Sequence, residues 1–201
     1  MASVATRRGS GGDERRLTLT EQARRGQLIE ITIELVAEKG YGGTSLARIA
    51  EAAGITKAAV LYHFPTKDAL VEAAYEHVLV ALTTEVGEAV EAADAAGGPG
   101  AYVRSMIGHL HEHPRHTRMI VEALVHGGAD HAPEARWGPL AQLIEAAAEA
   151  RAGGEVDART LAIIVGGGID AIVSERLHDP RYDTRAAADL LTELLEAALS
   201  R

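Results

Sequence analysis

Four histidines fall within the segment HLHEHPRH, at positions 109, 111, 113 and 116. On a helix, His109 and His113 are i,i+4 neighbours on one face and could share a metal ion. Pro114 would end that helix before His116, the HExxH signature is absent, and no acidic residue stands in an evident place for a general base. We therefore predict histidines that are hydrogen-bonded or exposed to solvent, with no metal centre, no cofactor and no catalytic residues.

A glycine run offers a second chemistry, because Gly166, Gly168 and Ala171 match GxGxxA after the apolar run LAIIV. With Asp189 about 20 residues further on, this spacing is typical of a dinucleotide site. Such a site needs several parallel strands, whereas the residues before the run have helical periodicity. We therefore interpret the glycines as a close helix contact.

The segment GITKAAVLYHFPTKDAL, residues 54–70, combines a glycine turn with two lysines, a Tyr-His pair and a proline. Its lysine, tyrosine and histidine side chains can donate hydrogen bonds to phosphates and bases. Most of the segment lies within residues 1–64, which carry a small excess of basic residues. Residues 1–64 hold nine Lys and Arg against seven Asp and Glu, whereas residues 65–201 hold 11 against 22. A chain charged in this way could place its first third on a polyanion and keep the rest away from it.

Composition excludes several classes of protein. The 201 residues are 47% hydrophobic, which is enough for a sizeable core, and the absence of cysteine excludes disulfides. The Gly- and Arg-containing opening lacks the apolar core of a signal peptide, and no apolar stretch is long enough to span a membrane. We expect a cytoplasmic protein with a mobile arm over residues 1–19.

Apolar residues recur at helical spacing through most of the chain, and strand-type alternation is scarce. Glycine, proline and capping residues divide these runs into about nine helices, so the predicted fold class is all-α. We expect a first helix ending at Gly40, two short helices on either side of Gly54, and a fourth from Lys67 to about Ala95. The segment AAGGPG, residues 95–100, should break the chain before five further helices.

Two short helices that meet across Gly54, with Ile49 and Val60 facing inward, fit a helix-turn-helix arrangement. In that arrangement the second of them enters the major groove of DNA and the first crosses the phosphate backbone. The residues facing bases would be Thr56, Lys57, Ala58 and Ala59, and those reaching phosphates would be Tyr62, His63 and Lys67. A plain helical hairpin with surface lysines has the same spacing and remains the alternative at this point.

Residues 28–70 resemble the DNA-binding region of the tetracycline repressor (TetR) family. The resemblance rests on AEKGY at the end of the first helix, TSLARIAEAAGITK across the turn, and YHFPTKDAL leading into the fourth helix. The length and the nine-helix plan are also similar to those of the family. Leu61 departs from the family pattern, as do Ala58 and Ala59, which leave few side chains for hydrogen-bonded base readout. We then expect specificity to depend on Lys57, Thr56 and Arg48, on apolar contact with thymine methyl groups and on DNA shape.

The resemblance implies a homodimeric transcriptional repressor, not an enzyme, that a small molecule releases from a palindromic operator. It implies a helix-turn-helix domain over residues 20–66 and an effector-binding and dimerisation domain over residues 67–201. The DNA contacts that we carry over are Thr44, Arg48, Thr56, Lys57, Ala58, Ala59, Tyr62, His63 and Lys67.

The last two predicted helices, residues 157–177 and 184–199, are apolar around much of their circumference. A partner surface explains this better than a single core face does. The family resemblance places the four-helix bundle of a homodimer here.

One face of the predicted fifth helix mixes Tyr102 and Met106 with His109 and His113. Such a face suits an effector cavity with few polar anchors, although a plain core with a hydrogen-bonded histidine remains the alternative. Further candidates for contact with an uncharged or weakly charged, largely hydrophobic effector are Met119 and Trp137. Asp170 is an acid among apolar neighbours in the predicted eighth helix and could equally pair with Arg176 across the dimer.

A second class of function stays open beside the DNA-binding regulator. A small helical enzyme or ligand-binding protein without DNA contact would share the composition and helical pattern. Binding to duplex DNA distinguishes the two classes, because only the regulator is expected to bind it.

Overall fold

The computed structural model describes residues 18–126, 134–151 and 156–200. The described residues form nine helices and no strands, which confirms the all-α prediction. Their bounds are α1 Leu19–Gly43, α2 Leu46–Ala52, α3 Lys57–His63, α4 Lys67–Glu91, α5 Gly98–Glu112, α6 Pro114–His126, α7 Glu134–Ala150, α8 Ala158–His178 and α9 Thr184–Leu199. The arm predicted over residues 1–19 lies outside the described residues up to position 17, and α1 begins at Leu19.

Side-chain caps begin the first four helices. Thr18, Ser45, Thr56 and Thr66 each accept a hydrogen bond from the backbone N–H three residues further on, at 3.0–3.3 Å. Each cap satisfies one of the N–H groups that a helix start leaves without an internal partner. Four local signals in the sequence thus set where the first four helices begin.

Two glycines supply left-handed backbone near the ends of α1 and α2. Gly40 has a φ of 69° and interrupts the helical geometry of α1 before its last turn, and Gly54 has a φ of 65° in the α2–α3 turn. A residue with a Cβ is strained in this region, so both positions favour glycine. The predicted turn at Gly54 is confirmed, whereas α1 resumes after the kink at Gly40 and ends at Gly43.

The prediction for the AAGGPG segment was wrong in part. The fourth helix ends at Glu91 and not near Ala95, and Gly98, Pro99 and Gly100 form the first turn of α5. Proline is tolerated in a first turn because its missing N–H would have had no helical partner there.

A close approach of two helices explains why a glycine stands at position 100. A Cβ placed on Gly100 would lie only 2.9 Å from Cγ2 of Thr192 in α9, closer than real Cβ atoms come. Thr192 is itself buried and β-branched, so it has little freedom to move away.

Three clusters of buried apolar side chains hold the helices together. The first lies among α1–α4 and includes Leu28, Ile49, Val60 and Phe64. The second joins α1 and α4 to α6 through the fully buried Met119. The third lies among α5, α7, α8 and α9. The second cluster therefore connects α1 and α4 to the helices that follow them.

The close α5–α9 contact predicts opposite effects for two Gly→Ala substitutions. Gly100→Ala should destabilise the fold by about 1–3 kcal/mol because the added methyl group overpacks the contact with Thr192. Gly87→Ala, inside α4 with no atom near the new Cβ, should stabilise it by about 0.5–1 kcal/mol. Urea unfolding at one fixed protein concentration measures both changes. Equal effects of the two substitutions would contradict the close contact.

Candidate nucleic-acid interface and ligand sites

The helix-turn-helix is built around a small core between α2 and α3. Ile49 and Val60 are fully buried, Ala50 is nearly so, and the N–H of Ile55 donates to the carbonyl of Ala50 at 3.0 Å. The small side chain at position 50 lets the turn close over α2. This packing leaves the opposite side of α3 free to face another molecule.

The outer face of α3 presents the residues that the sequence predicted for base contact. Thr56, Lys57 and Ala58 are exposed, and Ala59 is half-buried. The Thr56 hydroxyl accepts from the N–H of Ala59, so its own proton remains available to a phosphate or base. Lys57 supplies the cation of this face.

Two neighbouring side chains of the interface have partners within the chain. Tyr62 is 65% exposed, and its hydroxyl donates to Oε1 of Glu21 at 3.0 Å. Arg48 is exposed and donates to the carbonyl of Gly43. His63 is half-buried, and its carbonyl accepts a hydrogen bond from Arg25.

Thr44 lies differently from the other predicted DNA contacts. Its side chain is buried, and its hydroxyl donates to the carbonyl of Gly40 at 3.0 Å. The structure therefore places its side chain in the end of α1, away from the exposed face of α3.

Lys67 is half-buried and packs on an aromatic residue that the sequence interpretation did not select. Its Nζ lies 3.4 Å from the centroid of the Tyr41 ring and donates to the Tyr41 carbonyl at 3.0 Å. The Tyr41 hydroxyl donates to Asp68, and this hydrogen bond, together with burial and the carboxylate charge, raises the pKa of Tyr41. Lys67 thus fixes the end of α1 against the start of α4.

Helix α6 contacts α1 at two places. Glu122 accepts a hydrogen bond from the N–H of Tyr41 at 2.7 Å, and Arg115 donates to Glu34 of α1 at 2.7 Å. Glu122 was not predicted as a functional residue, and no sequence signal marks it, because its partner lies 81 residues away.

The structure separates the six residues predicted for the effector. Tyr102, Met106 and Trp137 pack against the core of α5, α7, α8 and α9, while Met119 lies in the cluster with α1 and α4. Burial, and then the charge of Asp170, raise the pKa of Tyr102. Asp170 is exposed on α8.

His109 and His113 form a polar cluster at the junction of α4, α5 and α6. His109 is 2% exposed, its Nδ1 lies 2.5 Å from Oε2 of Glu85, and its Nε2 lies 3.2 Å from Nδ1 of His116. The His113 ring lies 4.5 Å from that of His109 and 4.9 Å from that of His116. Burial, followed by the two neighbouring histidines, lowers the pKa of His116. The remaining histidine of the segment, His111, shares a hydrogen bond with Thr184 instead.

A cleft of about 200 Å³ opens on the adjoining face of α5. Its walls come from α5, α6, α8 and the turn before α9. Apolar groups predominate, and two guanidinium groups and an imidazole stand among them. The residues that line the cleft include Leu110, His111, Thr117, Arg118, Val173 and Arg176.

Helices α8 and α9 expose an apolar face. Ile163 and Ile164 on α8 and Leu190 and Leu194 on α9 are 47–63% exposed. A Cβ at Gly166 or Gly167 would meet no atom of the chain within 4 Å, whereas one at Gly168 would lie 3.1 Å from Leu191. The glycine run therefore packs against α9 at one position and leaves open space at the other two.

The dinucleotide alternative does not fit this part of the chain. The run LAIIV and the glycines are helical throughout in α8, so no strand precedes the motif. Asp189 forms a hydrogen bond with Arg104 at 2.9 Å. No helix among the described residues is long and apolar enough to cross a membrane.

Sequence comparison identifies relatives of part of the chain. Residues 28–74 match the sequence profile described as bacterial regulatory proteins, tetR family. The HTH-type transcriptional regulator BetI of Ectopseudomonas mendocina (strain ymp) is 38% identical over 84 residues, which are 42% of this chain and 42% of that protein. BetI of Burkholderia thailandensis is 37% identical over 86 residues, 43% of each. The match thus spans less than half the length of these curated relatives.

Comparison with solved structures extends over most of the chain. A TetR-like transcriptional regulator from Rhodococcus sp. RHA1 superposes with a TM-score of 0.71 at 19% identity, covering 90% of this chain and 96% of that one. The fatty acid degradation regulator FadR from Bacillus halodurans gives a TM-score of 0.69 at 19% identity, covering 86% and 94%. At these identities the likeness shows a shared fold.

Proposed function

Because residues 28–74 match the profile of the tetR family of bacterial regulatory proteins, we propose that this chain is a member of that family and a cytoplasmic, homodimeric repressor of transcription. It binds a palindromic duplex through α3 and is released by a small, largely hydrophobic effector. The observation that carries the proposal is the exposed face of α3, with Lys57 and Ala58 turned outward from a closed helix-turn-helix core. The relatives are transcriptional regulators, which argues against the alternative of a small helical enzyme.

The proposed DNA contacts form two groups, base contacts and phosphate contacts, according to where the side chains lie. Lys57 and Thr56 stand at the N-terminal end of α3, the end that a recognition helix brings to base edges. Tyr62, His63 and Lys67 follow along the edge toward α4 and suit phosphate contact. Thr44 has its hydroxyl engaged within the chain, so it would contribute mainly by holding the end of α1.

Lysine substitutions should separate phosphate contact from base readout. Affinity for a duplex selected from a random library should fall linearly with salt on logarithmic axes because phosphate contacts release counterions. Lys67→Ala should weaken all sequences alike and lower the slope by about 0.9 for each lost phosphate contact. Lys57→Ala should also relax base preference. Fluorescence anisotropy at several salt concentrations measures both quantities.

Arg181→Ala serves as the control, because its side chain is 93% exposed far along the chain from α3. This substitution should leave affinity and slope unchanged. An equal loss of base preference from Lys57→Ala and Lys67→Ala would contradict the assigned roles.

The dimer is proposed through α8 and α9, residues 157–177 and 184–199. The four exposed Ile and Leu side chains form an apolar face that water would otherwise cover. Gly166 and Gly167 leave a shallow space on α8 into which a partner helix can come close. A two-fold dimer presents two copies of α3, which matches a palindromic site.

Substitution of Gly167 tests this interface. Gly167→Arg should split the dimer because the long cation would be forced between apolar helices. Light scattering at micromolar concentration reports the mass, and circular dichroism confirms that the chain remains folded. The control, Gly26→Arg, also adds a cation at a glycine with open space around it and should remain dimeric. A folded Gly167→Arg chain with dimer mass would place the interface elsewhere.

The effector is proposed to bind in the cleft between α5, α6 and α8. The six residues first predicted are distributed over three clusters, whereas this cleft has a continuous apolar wall. Arg118, Arg176 and His111 provide hydrogen-bond donors for one acceptor group of the ligand. A volume of about 200 Å³ is below the roughly 300–1,000 Å³ of ordinary ligand pockets, so we expect a small effector.

Coupling to DNA is proposed to pass through α6. Thr117 and Arg118 of α6 line the cleft, and Glu122 of the same helix holds the N–H of Tyr41 beside Lys67. A ligand that favours a shifted α6 would therefore reposition the end of α1 and the start of α4. By linkage, DNA must weaken the ligand by the same factor, ordinarily about 5- to 150-fold.

Two substitutions on α5 distinguish the cleft from the originally predicted face. Leu110→Trp should fill the cleft and abolish release by an effector found in a thermal-shift screen, with DNA binding unchanged in its absence. Met106→Arg, on the face first predicted, should leave release intact if the chain stays folded. Competition between duplex and effector in anisotropy gives the answer. The reverse pattern would move the effector to the Tyr102 and Met106 face.

A further inference from the structure

The Glu85 cluster, consisting of Glu85, His109, His113 and His116, has no part in the proposed DNA or effector contacts. It joins α4, the C-terminal end of α5 and the first turn of α6. The buried imidazole of His109 has a carboxylate on one nitrogen and an imidazole on the other. Three histidine rings converge there with centroids 4.5–5.3 Å apart, although each would be repelled by the others if protonated.

We propose that Glu85, His109 and His113 bind one divalent transition-metal ion of the zinc class per chain. Each offers one donor atom, and these three atoms lie within 4.8 Å of one another. The donors come from helices that are separate in sequence, so the fold itself assembles the set. The ion would bridge α4 and the end of α5.

The donor set selects the class of metal. Two imidazole nitrogens with one carboxylate oxygen form a set that zinc accepts in proteins, and a fourth position stays open for water. Calcium and magnesium prefer sites made wholly of oxygen atoms, so the two imidazoles disfavour them. No thiolate is available, because the chain has no cysteine.

The geometry needs only a small adjustment to admit the ion. Ligand atoms of a tetrahedral zinc site lie about 3.3 Å apart for bonds of 2.0–2.2 Å. Glu85 Oε2 and His109 Nδ1 are 2.5 Å apart, so the carboxylate must swing outward. It can do so because 46% of the Glu85 side chain is exposed, and His113 is exposed at the end of α5.

His116 completes the site as an outer partner. Metal-binding histidines usually hold their second ring nitrogen in a hydrogen bond, which sets the tautomer and the ring orientation. The His109 Nε2 atom meets this requirement through Nδ1 of His116 at 3.2 Å. With Nε2 protonated and donating, Nδ1 of His109 is left as the donor to the ion.

Uptake of cobalt(II) by the untagged, full-length, EDTA-treated protein tests the proposal. Cobalt(II) replaces zinc in such sites, and its visible absorption reports coordination by protein ligands. We expect one equivalent per chain, displaced by one equivalent of Zn²⁺, with Zn²⁺ raising the melting temperature. Failure to bind either ion at micromolar concentration would overturn the proposal.

Matched variants assign the ligands. Glu85→Gln keeps the side-chain shape without the carboxylate, and His113→Asn changes an exposed residue, so both should fold. Each should weaken Co²⁺ binding at least about 10-fold, since loss of an outer partner already costs about 10- to 100-fold. His178→Asn, an exposed histidine on α8, is the control and should bind like the unchanged protein.

Circular dichroism of the metal-free variants verifies that each is folded before binding is compared. Binding that persists in both Glu85→Gln and His113→Asn would overturn the site. An equal loss of Co²⁺ binding in His178→Asn would also overturn the site, because binding would then not depend on the position of the histidine. DNA binding does not enter the readout, so the result stands apart from the proposed regulatory function.

Discussion

Met119 holds the DNA-binding region to the rest of the chain, because its side chain from α6 is fully buried against α1 and α4. Its neighbours in that cluster include Val36 of α1 and Val78 of α4, which are also completely or almost completely buried. Close-packed interiors move between discrete arrangements and do not deform continuously. A displacement of α6 must therefore carry α1 and α4 with it or open a cavity, and a cavity costs stability.

Polar contacts reinforce the apolar packing of α6 against α1 and α4. Glu122 holds the N–H of Tyr41, and Lys67 covers the Tyr41 ring from the start of α4. Tyr41 follows Gly40, whose left-handed backbone turns the chain away from the helix axis. The position of α3 relative to α6 thus depends on a few contacts around one turn. Such contacts are either made or broken, which is what a two-state switch requires.

The same contact region also lies between the two proposed ligand sites. The proposed effector cleft and the Glu85 cluster lie on adjoining faces of α5, and both involve the start of α6. Glu85 lies on α4, which begins at Lys67 in the DNA-binding region. A ligand in either proposed site would act on α4 or α6, and both of these helices pack against α1. The exposed apolar side chains of α8 and α9, Ile163, Ile164, Leu190 and Leu194, do not line the cleft, so the proposed dimerisation and the proposed switching can be tested by separate substitutions.

Local signals carried much of the prediction of the fold. Ser45, Thr56 and Thr66 cap their helices, and Gly54 turns the chain between α2 and α3, as their types and spacing predicted. Each of these features depends on atoms within about four residues. Exposure of the α3 face also followed from periodicity, because a short amphipathic helix has one apolar side to bury.

Features that depend on distant residues were not predictable in this way. Gly100 reads as a helix breaker until Thr192 is seen against it, and Thr44 reads as a polar surface residue until its hydroxyl is found buried. The spacing of Tyr102 and His109 predicts one continuous face of α5. In the structure Tyr102 packs against the core of α5, α7, α8 and α9, whereas His109 contacts Glu85 of α4.

The helices, most of their caps and turns, and the helix-turn-helix with the exposed Lys57 are predictable from the amino-acid sequence, because they follow from short-range geometry and periodicity. Which side chains meet across the chain becomes known from the packed helices. The packing brings Glu85 to His109 over 24 positions and Glu122 to Tyr41 over 81. The reason is physical: a partner's identity depends on how helices pack, and packing sums many weak contacts that no local pattern records.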